Sequence, residues 1–191
     1  HLIFMPGPSD MYPPGFATTV TLTGPAKAGL EDKFRPQFFD GVATVVAKLF
    51  IQTGADYAMF GEKDYQQLKV IARMAKDLDI PIEVVGVPTV REEDGLAKSS
   101  RNVYLSRAER QQALAIYRNL TAAADRIRAG VNPQTATRSA SRMLMAQGFR
   151  VDYVTARNAE SLAIPQHREE PLRLIAAAWL GNTRLIDNIP V

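Results

Sequence analysis

Short apolar or β-branched runs alternate with amphipathic stretches over residues 41–87, and this alternation constrains the fold more than any other feature of the sequence. From Gly41 to Gln52, the apolar positions Val42, Val45, Val46 and Leu49 fall at i, i+3, i+4 and i+7, one face of a helix. Tyr57 to Phe60 reads as a strand that stops at Gly61. Tyr65 to Asp77 reads as a helix with Leu68, Ile71 and Ala75 on one side, and Ile82 to Val87 as a β-branched strand ended by Pro88. Strands separated by helices of this length predict βαβ units and a parallel sheet. Upstream, Leu2 to Met5 reads as a short buried strand, Pro6 to Gly15 as a Pro- and Gly-rich loop, Ala17 to Leu22 as an alternating strand, and Gly24 to Pro36 as a polar loop.

The pattern changes after Gly95. Ser106 and Glu109 have the spacing of a capping box, and a long amphipathic helix follows to about Arg128, with Gly130 as its stop. Pro133 opens another helix that runs to about Gln147 and ends at Gly148. Val151 to Ala156, Leu172 to Trp179 and Thr183 to Asp187 read as strands, the last two joined by the hairpin signal Gly181-Asn182. Two helices ahead of a small sheet predict an α+β arrangement. The fold class is therefore α/β, with a parallel-sheet domain over residues 1–88 and a smaller α+β domain over residues 89–191.

Composition excludes several chemistries. Without cysteine there is no disulfide, thiolate catalysis or Cys-ligated zinc. The two histidines, His1 and His167, rule against a His-rich metal centre or a Ser-His-Asp triad, and no metal-ligand set is assigned; His167 reads as an exposed loop residue. The 23 Lys and Arg are interspersed with 20 Asp and Glu for a net charge of +3, which describes a solvated surface and not a nucleic-acid footprint. No apolar run reaches the ~18 residues that span a membrane, and no leader pattern is visible, so a cytoplasmic protein is the default expectation. The chain starts at His1-Leu2-Ile3-Phe4, inside an apolar run and without Met, and reads as a fragment.

Two clusters are suited to chemistry. Phe60-Gly61-Glu62-Lys63-Asp64-Tyr65-Gln66-Gln67 lies where a strand ends and a helix begins, the end of an open α/β sheet at which ligands bind and helix N–H groups favour anions. Gly61 permits a sharp turn and close approach, Lys63 supplies a point charge for phosphate, and Asp64 suits either a ribose hydroxyl or a helix cap. A capped helix start with a solvated Glu62-Lys63-Asp64 run is the alternative. Lys98-Ser99-Ser100-Arg101-Asn102 sets two hydroxyls, a guanidinium and an ammonium on one loop, a phosphate clamp or else a polar surface loop.

With two further groups of residues these clusters resemble the pantoate–β-alanine ligase (pantothenate synthetase) family. The matching stretches are Phe60 to Leu68, Val85-Gly86-Val87-Pro88-Thr89-Val90-Arg91-Glu92, and Asp94-Gly95-Leu96-Ala97 running into Ser99-Ser100-Arg101-Asn102. Ala177-Ala178-Trp179-Leu180-Gly181 and Arg184-Leu185-Ile186-Asp187-Asn188 complete the set. The resemblance implies a Rossmann-like domain, here incomplete, and a smaller C-terminal α+β lid. It implies Mg-ATP, pantoate and β-alanine as reactants, a pantoyl-adenylate intermediate, and AMP and pyrophosphate as products. A homodimer without nucleic-acid or membrane partners is the expected assembly.

By the same resemblance, Gly61, Glu62, Lys63, Asp64, Val90, Lys98, Ser99, Ser100 and Arg101 bind ATP. Lys63 meets the phosphates, Asp64 the ribose and the Val90 backbone the adenine, and Ser99, Ser100 and Arg101 form the phosphate loop. Lys63, Ser99, Ser100 and Arg101 are the catalytic set. Gln67 hydrogen-bonds pantoate, whose gem-dimethyl group meets Val42, Val45, Val46 and Leu49, residues that equally suit a plain core. Phe38 stands where the family often has His, and Lys98 where an apolar residue is common. The family's H-x-G-H segment and first pantoate-binding Gln are expected upstream of His1, so the 191-residue chain alone is expected to be inactive. Two other readings stay open, a different nucleotidyltransferase of the same superfamily and a non-catalytic nucleotide-binding module.

Overall fold

The alternation over residues 41–87 folds into a parallel strand pair with two helices packed on it. A computed structural model describes residues 3–167 and 169–191. Chain contacts divide it into two units, one of residues 3–61 with Gln66–Val87 and one of Glu62–Tyr65 with Pro88–Val191.

The first unit holds the short helices α1 (Pro8–Met11) and α2 (Glu31–Phe34), then α3 (Phe38–Thr53), β1 (Tyr57–Gly61), α4 (Tyr65–Asp77) from Gln66 onward, and β2 (Glu83–Val87). β1 and β2 pair in parallel with Tyr57 opposite Glu83 and Gly61 opposite Val87. Helix α3 ends at Gly54, whose φ of 56° is the left-handed cap conformation that glycine adopts without a Cβ penalty. The core comes from Phe39, Ala43, Ala47 and Phe50 of α3 and Val70, Ile71, Met74 and Ala75 of α4, with Ala58 and Phe60 of β1 packed against them. Each large side chain buried here contributes about 1.5–3 kcal/mol. Val42, Val45, Val46 and Leu49 are half-buried and sit beside the face that enters the core.

Several upstream expectations are corrected. Of the strand expected over Leu2 to Met5, Leu2 lies outside the described residues, and Ile3 and Met5 are 87% and 86% exposed with no strand partner among the described residues. Ala17 to Leu22 is irregular. Its Val20 N–H donates to the Thr44 hydroxyl (2.9 Å) on α3 and not to a neighbouring strand. The polar loop over Gly24 to Pro36 contains a 3-10 turn, Gly24–Lys27, and α2, where the Asp32 carboxylate accepts from the N–H groups of Gly29 and Leu30 at 3.0 and 2.9 Å.

The second unit stacks helices on an antiparallel sheet. α5 (Arg107–Gln112), α6 (Ala115–Arg128) and α7 (Pro133–Ala146) precede β3 (Arg150–Asn158), β4 (Leu172–Leu180) and β5 (Thr183–Pro190), with β4 in the centre. The Ser106 capping box forms in both directions, and Glu109, held by the Ser106 hydroxyl and backbone, keeps its carboxyl below the usual range. The single helix expected from Arg107 to Arg128 is broken at Ala113 and Leu114, both of which are drawn into the core. No Gly or Pro marks that break, so packing interrupts a run that local propensity favours. Leu174, Ala176, Ala178 and Leu180 of β4 join Leu120, Ala124, Ala140 and Leu144 in this core, and the opposite face of β4 buries Arg173, Ile175 and Ala177. β4 turns into β5 at Gly181-Asn182, as the dipeptide predicts.

Candidate active site

In the second unit, three segments meet around one cavity: the turn Glu62–Asp64, the 3-10 turn Ser100–Tyr104 with its cap Ser99, and residues 184–187 in the first half of β5. The cavity is lined by Lys63, Ser99, Arg101, Asn102, Arg184 and Asp187, over an apolar floor that includes Leu96 and Ala97.

The first segment is held by polar side chains from the sheet. Asn188 donates from Nδ2 to the carbonyls of Glu62 (2.9 Å) and Lys63 (3.0 Å), and its Oδ1 accepts from Arg173 Nε at 2.6 Å. Arg173 also donates from Nη2 to Glu62 Oε2 (2.8 Å) and lies 4.2 Å from the Tyr65 ring centroid. Asn188 and Arg173 are 2% and 7% exposed, so this network is shielded from water and every bond in it counts. The Glu62 carboxylate therefore faces Arg173, while Asp64 is exposed.

The second segment hangs from a tight loop. Arg91 and Ala97 form an antiparallel bridge, closed by Glu92 N–H to Leu96 O (2.8 Å) and Lys98 N–H to Val90 O (2.9 Å). Gly95 has φ of 99°, and a Cβ there would come within 2.8 Å of the Tyr117 ring. Arg91 stacks on Tyr117 (4.0 Å) and forks onto Asp187, with Nη1 to Oδ2 and Nη2 to Oδ1 both at 2.8 Å. On the same loop, the Arg110 guanidinium holds the exposed Asp94 carboxyl below its usual range. The Ser99 hydroxyl accepts from the Arg101 N–H (3.2 Å), and the Asn102 amide donates to Ala97 O (3.1 Å), which fix the start of the turn.

The charges around the cavity do not cancel. Arg184 is bonded through Nε to Asp152 (2.8 Å), and Asp187 is taken by Arg91. Neither Lys63 Nζ nor the Arg101 guanidinium has an ion-pair or hydrogen-bond partner among the described residues. Two unpaired cations beside a hydroxyl have the chemistry that suits an anion with several oxygens.

The residues expected from sequence distribute as follows. Lys63, Ser99 and Arg101 come together at the cavity. Ser100, Lys98 and Val90 are exposed nearby in the same unit and do not line it, and Lys98 Nζ is 3.7 Å from Glu92 Oε2. Gly61, Gln67, Val42, Val45, Val46 and Leu49 belong to the first unit. Sequence reasoning did not assign Arg91, Arg173, Asp187 or Asn188 to the site. The signal for Arg173 was a cation inside the apolar run Leu172-Arg173-Leu174, and for Asp187-Asn188 two polar residues closing a strand.

The profile of the family described as Pantoate-beta-alanine ligase matches residues 1–190. The chain belongs to the pantoate–β-alanine ligase family. This family catalyses the ATP-dependent ligation of pantoate and β-alanine. The chain is 54% identical over all 191 residues to a pantothenate synthetase of Rhodopseudomonas palustris strain BisA53, of which it spans 68%. It is 55% identical to pantothenate synthetase 2 of Bradyrhizobium diazoefficiens, again spanning 68% of that protein. Among solved structures, the pantothenate synthetase of Thermus thermophilus superposes with a TM-score of 0.88 at 48% identity, covering 96% of this chain and 67% of that one. The pantoate-β-alanine ligase of Francisella tularensis, solved with beta-gamma ATP and β-alanine, superposes with a TM-score of 0.73 at 29% identity, covering 95% and 61%. Membership in the ligase family separates this chain from the other nucleotidyltransferases that the sequence left open.

Proposed function

We propose that the protein condenses pantoate with β-alanine through a pantoyl-adenylate, and that the cavity of Lys63, Ser99 and Arg101 receives the phosphates of ATP. The observation that supports this reading is the pair of unpartnered cations, Lys63 and Arg101, facing one small cavity in a chain of this family. A pantoate carboxylate oxygen attacks the α-phosphorus and pyrophosphate leaves. The β-alanine amine then attacks the acyl carbon, AMP departs with the former carboxylate oxygen, and the nitrogen loses a proton as the amide forms. Charge builds on the departing phosphates, and fixed cations in a site screened from water lower that barrier most.

In this reading Asp64 meets the ribose, the Val90 backbone the adenine, and Gln67 the pantoate, with Val42, Val45, Val46 and Leu49 against its methyl groups. The half-buried state of that valine stripe supports a lining role. Glu62 acts through its bond to Arg173, and Gly61, Ser100 and Lys98 border the nucleotide. No three His, Cys, Asp or Glu side chains gather as a metal site among the described residues. In this reading magnesium belongs to the substrate, carried on the ATP phosphates. No helix among the described residues is long and apolar enough to cross a membrane. A homodimer in the cytoplasm completes the proposal and rests on the resemblance alone. Product analysis of the full-length gene product tests it: pantoate, β-alanine and ATP should yield pantothenate with equal amounts of AMP and pyrophosphate, and ADP with inorganic phosphate would refute the adenylate.

A further inference from the structure

We infer that Asp187 and Asn188 are a positioning pair that sets the two anion-binding segments against each other, with Asn188 acting through Lys63. The inference rests on the phosphate reading of the cavity and goes beyond it, since neither side chain needs to touch the nucleotide. The two residues are adjacent on β5, where successive side chains leave opposite faces of the strand. Asp187 takes the fork of Arg91, at the base of the loop that leads to Ser99 and Arg101. Asn188 donates to the two carbonyls that flank the Lys63 Cα, those of Glu62 and Lys63. The pair is also closed on itself, because the Asn188 N–H donates to Asp187 Oδ1 at 2.8 Å.

The bonding capacity of Asn188 is matched to this task. Its amide nitrogen is committed to the two carbonyls, and its oxygen accepts from Arg173, which in turn holds the Glu62 carboxylate. The backbone of Lys63 is thus held at the carbonyls before and after its Cα, and the preceding side chain, Glu62, is held by Arg173, so the ammonium extends from a fixed base. A point charge that contacts a phosphate only through position is sensitive to such a base, and a displacement of about 1 Å is worth about a hundredfold in rate.

The experiment is a double-mutant cycle on the full-length gene product, reading single-turnover pyrophosphate release with MgATP and pantoate. Asn188→Ala should lower the rate about a hundredfold, with KM for β-alanine unchanged and the thermal midpoint showing a folded protein. In the Lys63→Ala background the same change should add less than about threefold, because its effect is transmitted through Lys63. Multiplicative losses, or a full rate in Asn188→Ala, would overturn the inference. If Asn188→Ala does not fold, Asn188→Asp takes its place, keeping the oxygen for Arg173 while losing the donor to both carbonyls, and the same two outcomes decide. A Lys63→Ala protein with a full rate would instead remove the phosphate reading itself.

Discussion

Gln66 and Gln67 are identical side chains with different surroundings. Gln66 is 4% exposed; its Oε1 accepts from the Glu31 N–H, and its Nε2 donates to Pro25 O and Asp32 Oδ1, each at 2.9 Å. Gln66→Ala removes these three bonds and should destabilise the protein by about 1–3 kcal/mol, read from the urea midpoint at constant m-value. An unchanged midpoint would show that water replaces the amide. At Lys63 the effect should be on rate and not on stability: Lys63→Ala is expected to slow adenylation about 10²–10³-fold with an unaltered melting curve, and near-normal turnover would reduce it to a surface charge. The sequence marked Lys63, Ser99 and Arg101 through the family resemblance, since the residue types alone equally suit a capped helix start and a polar surface loop. The structural role of Gln66 was not legible, since its partners lie 34 to 41 residues away and no local pattern encodes them.

Elements with strong periodicity and explicit end signals were legible: α4 starts at Tyr65, α7 at Pro133, and the β4–β5 hairpin turns at Gly181-Asn182. Failures came where tertiary contacts overrode local pattern. The Val20 N–H of an expected strand goes to Thr44, and the core drew in Ala113 and Leu114. The loop between β3 and β4 was legible only as irregular, and one carboxylate organises it. Glu170 accepts from Asn158 Nδ2 (2.7 Å) and from the N–H groups of His167 (2.8 Å) and Gln166 (2.7 Å), and these bonds, the Asn158 amide foremost, hold its pKa below the usual carboxylate value. A depressed folded-state pKa means that the contribution is present above the unfolded value of 4.5 and lost as pH falls through the lower folded one. Amide protection at Gln166 and His167, corrected for intrinsic exchange, should therefore hold at neutral pH and collapse in that acidic window, while Glu170→Gln should weaken it at neutral pH. Protection independent of pH down to the acid limit would contradict the assignment.

At the scale of the whole chain, the division into units does not follow sequence order. Glu62–Tyr65 sits between β1 and the body of α4, yet its contacts assign it to the same unit as the Ser99–Arg101 turn. Lys63 and Ser99, far apart in sequence, thus line one cationic cavity, and the link between their segments is the polar end of β5. The sequence showed the two clusters but not what joins them, because the joining groups, Arg91, Arg173, Asp187 and Asn188, act through buried pairwise bonds with no short-range signature. The central claim is that both clusters receive the same triphosphate. Hydrogen exchange of the full-length gene product with and without saturating MgATP measures this directly. Amides of Glu62–Tyr65 and of residues 99–102 should gain protection together, while those of residues 164–167 do not change; protection at only one of the two segments, or at neither, would contradict a shared triphosphate.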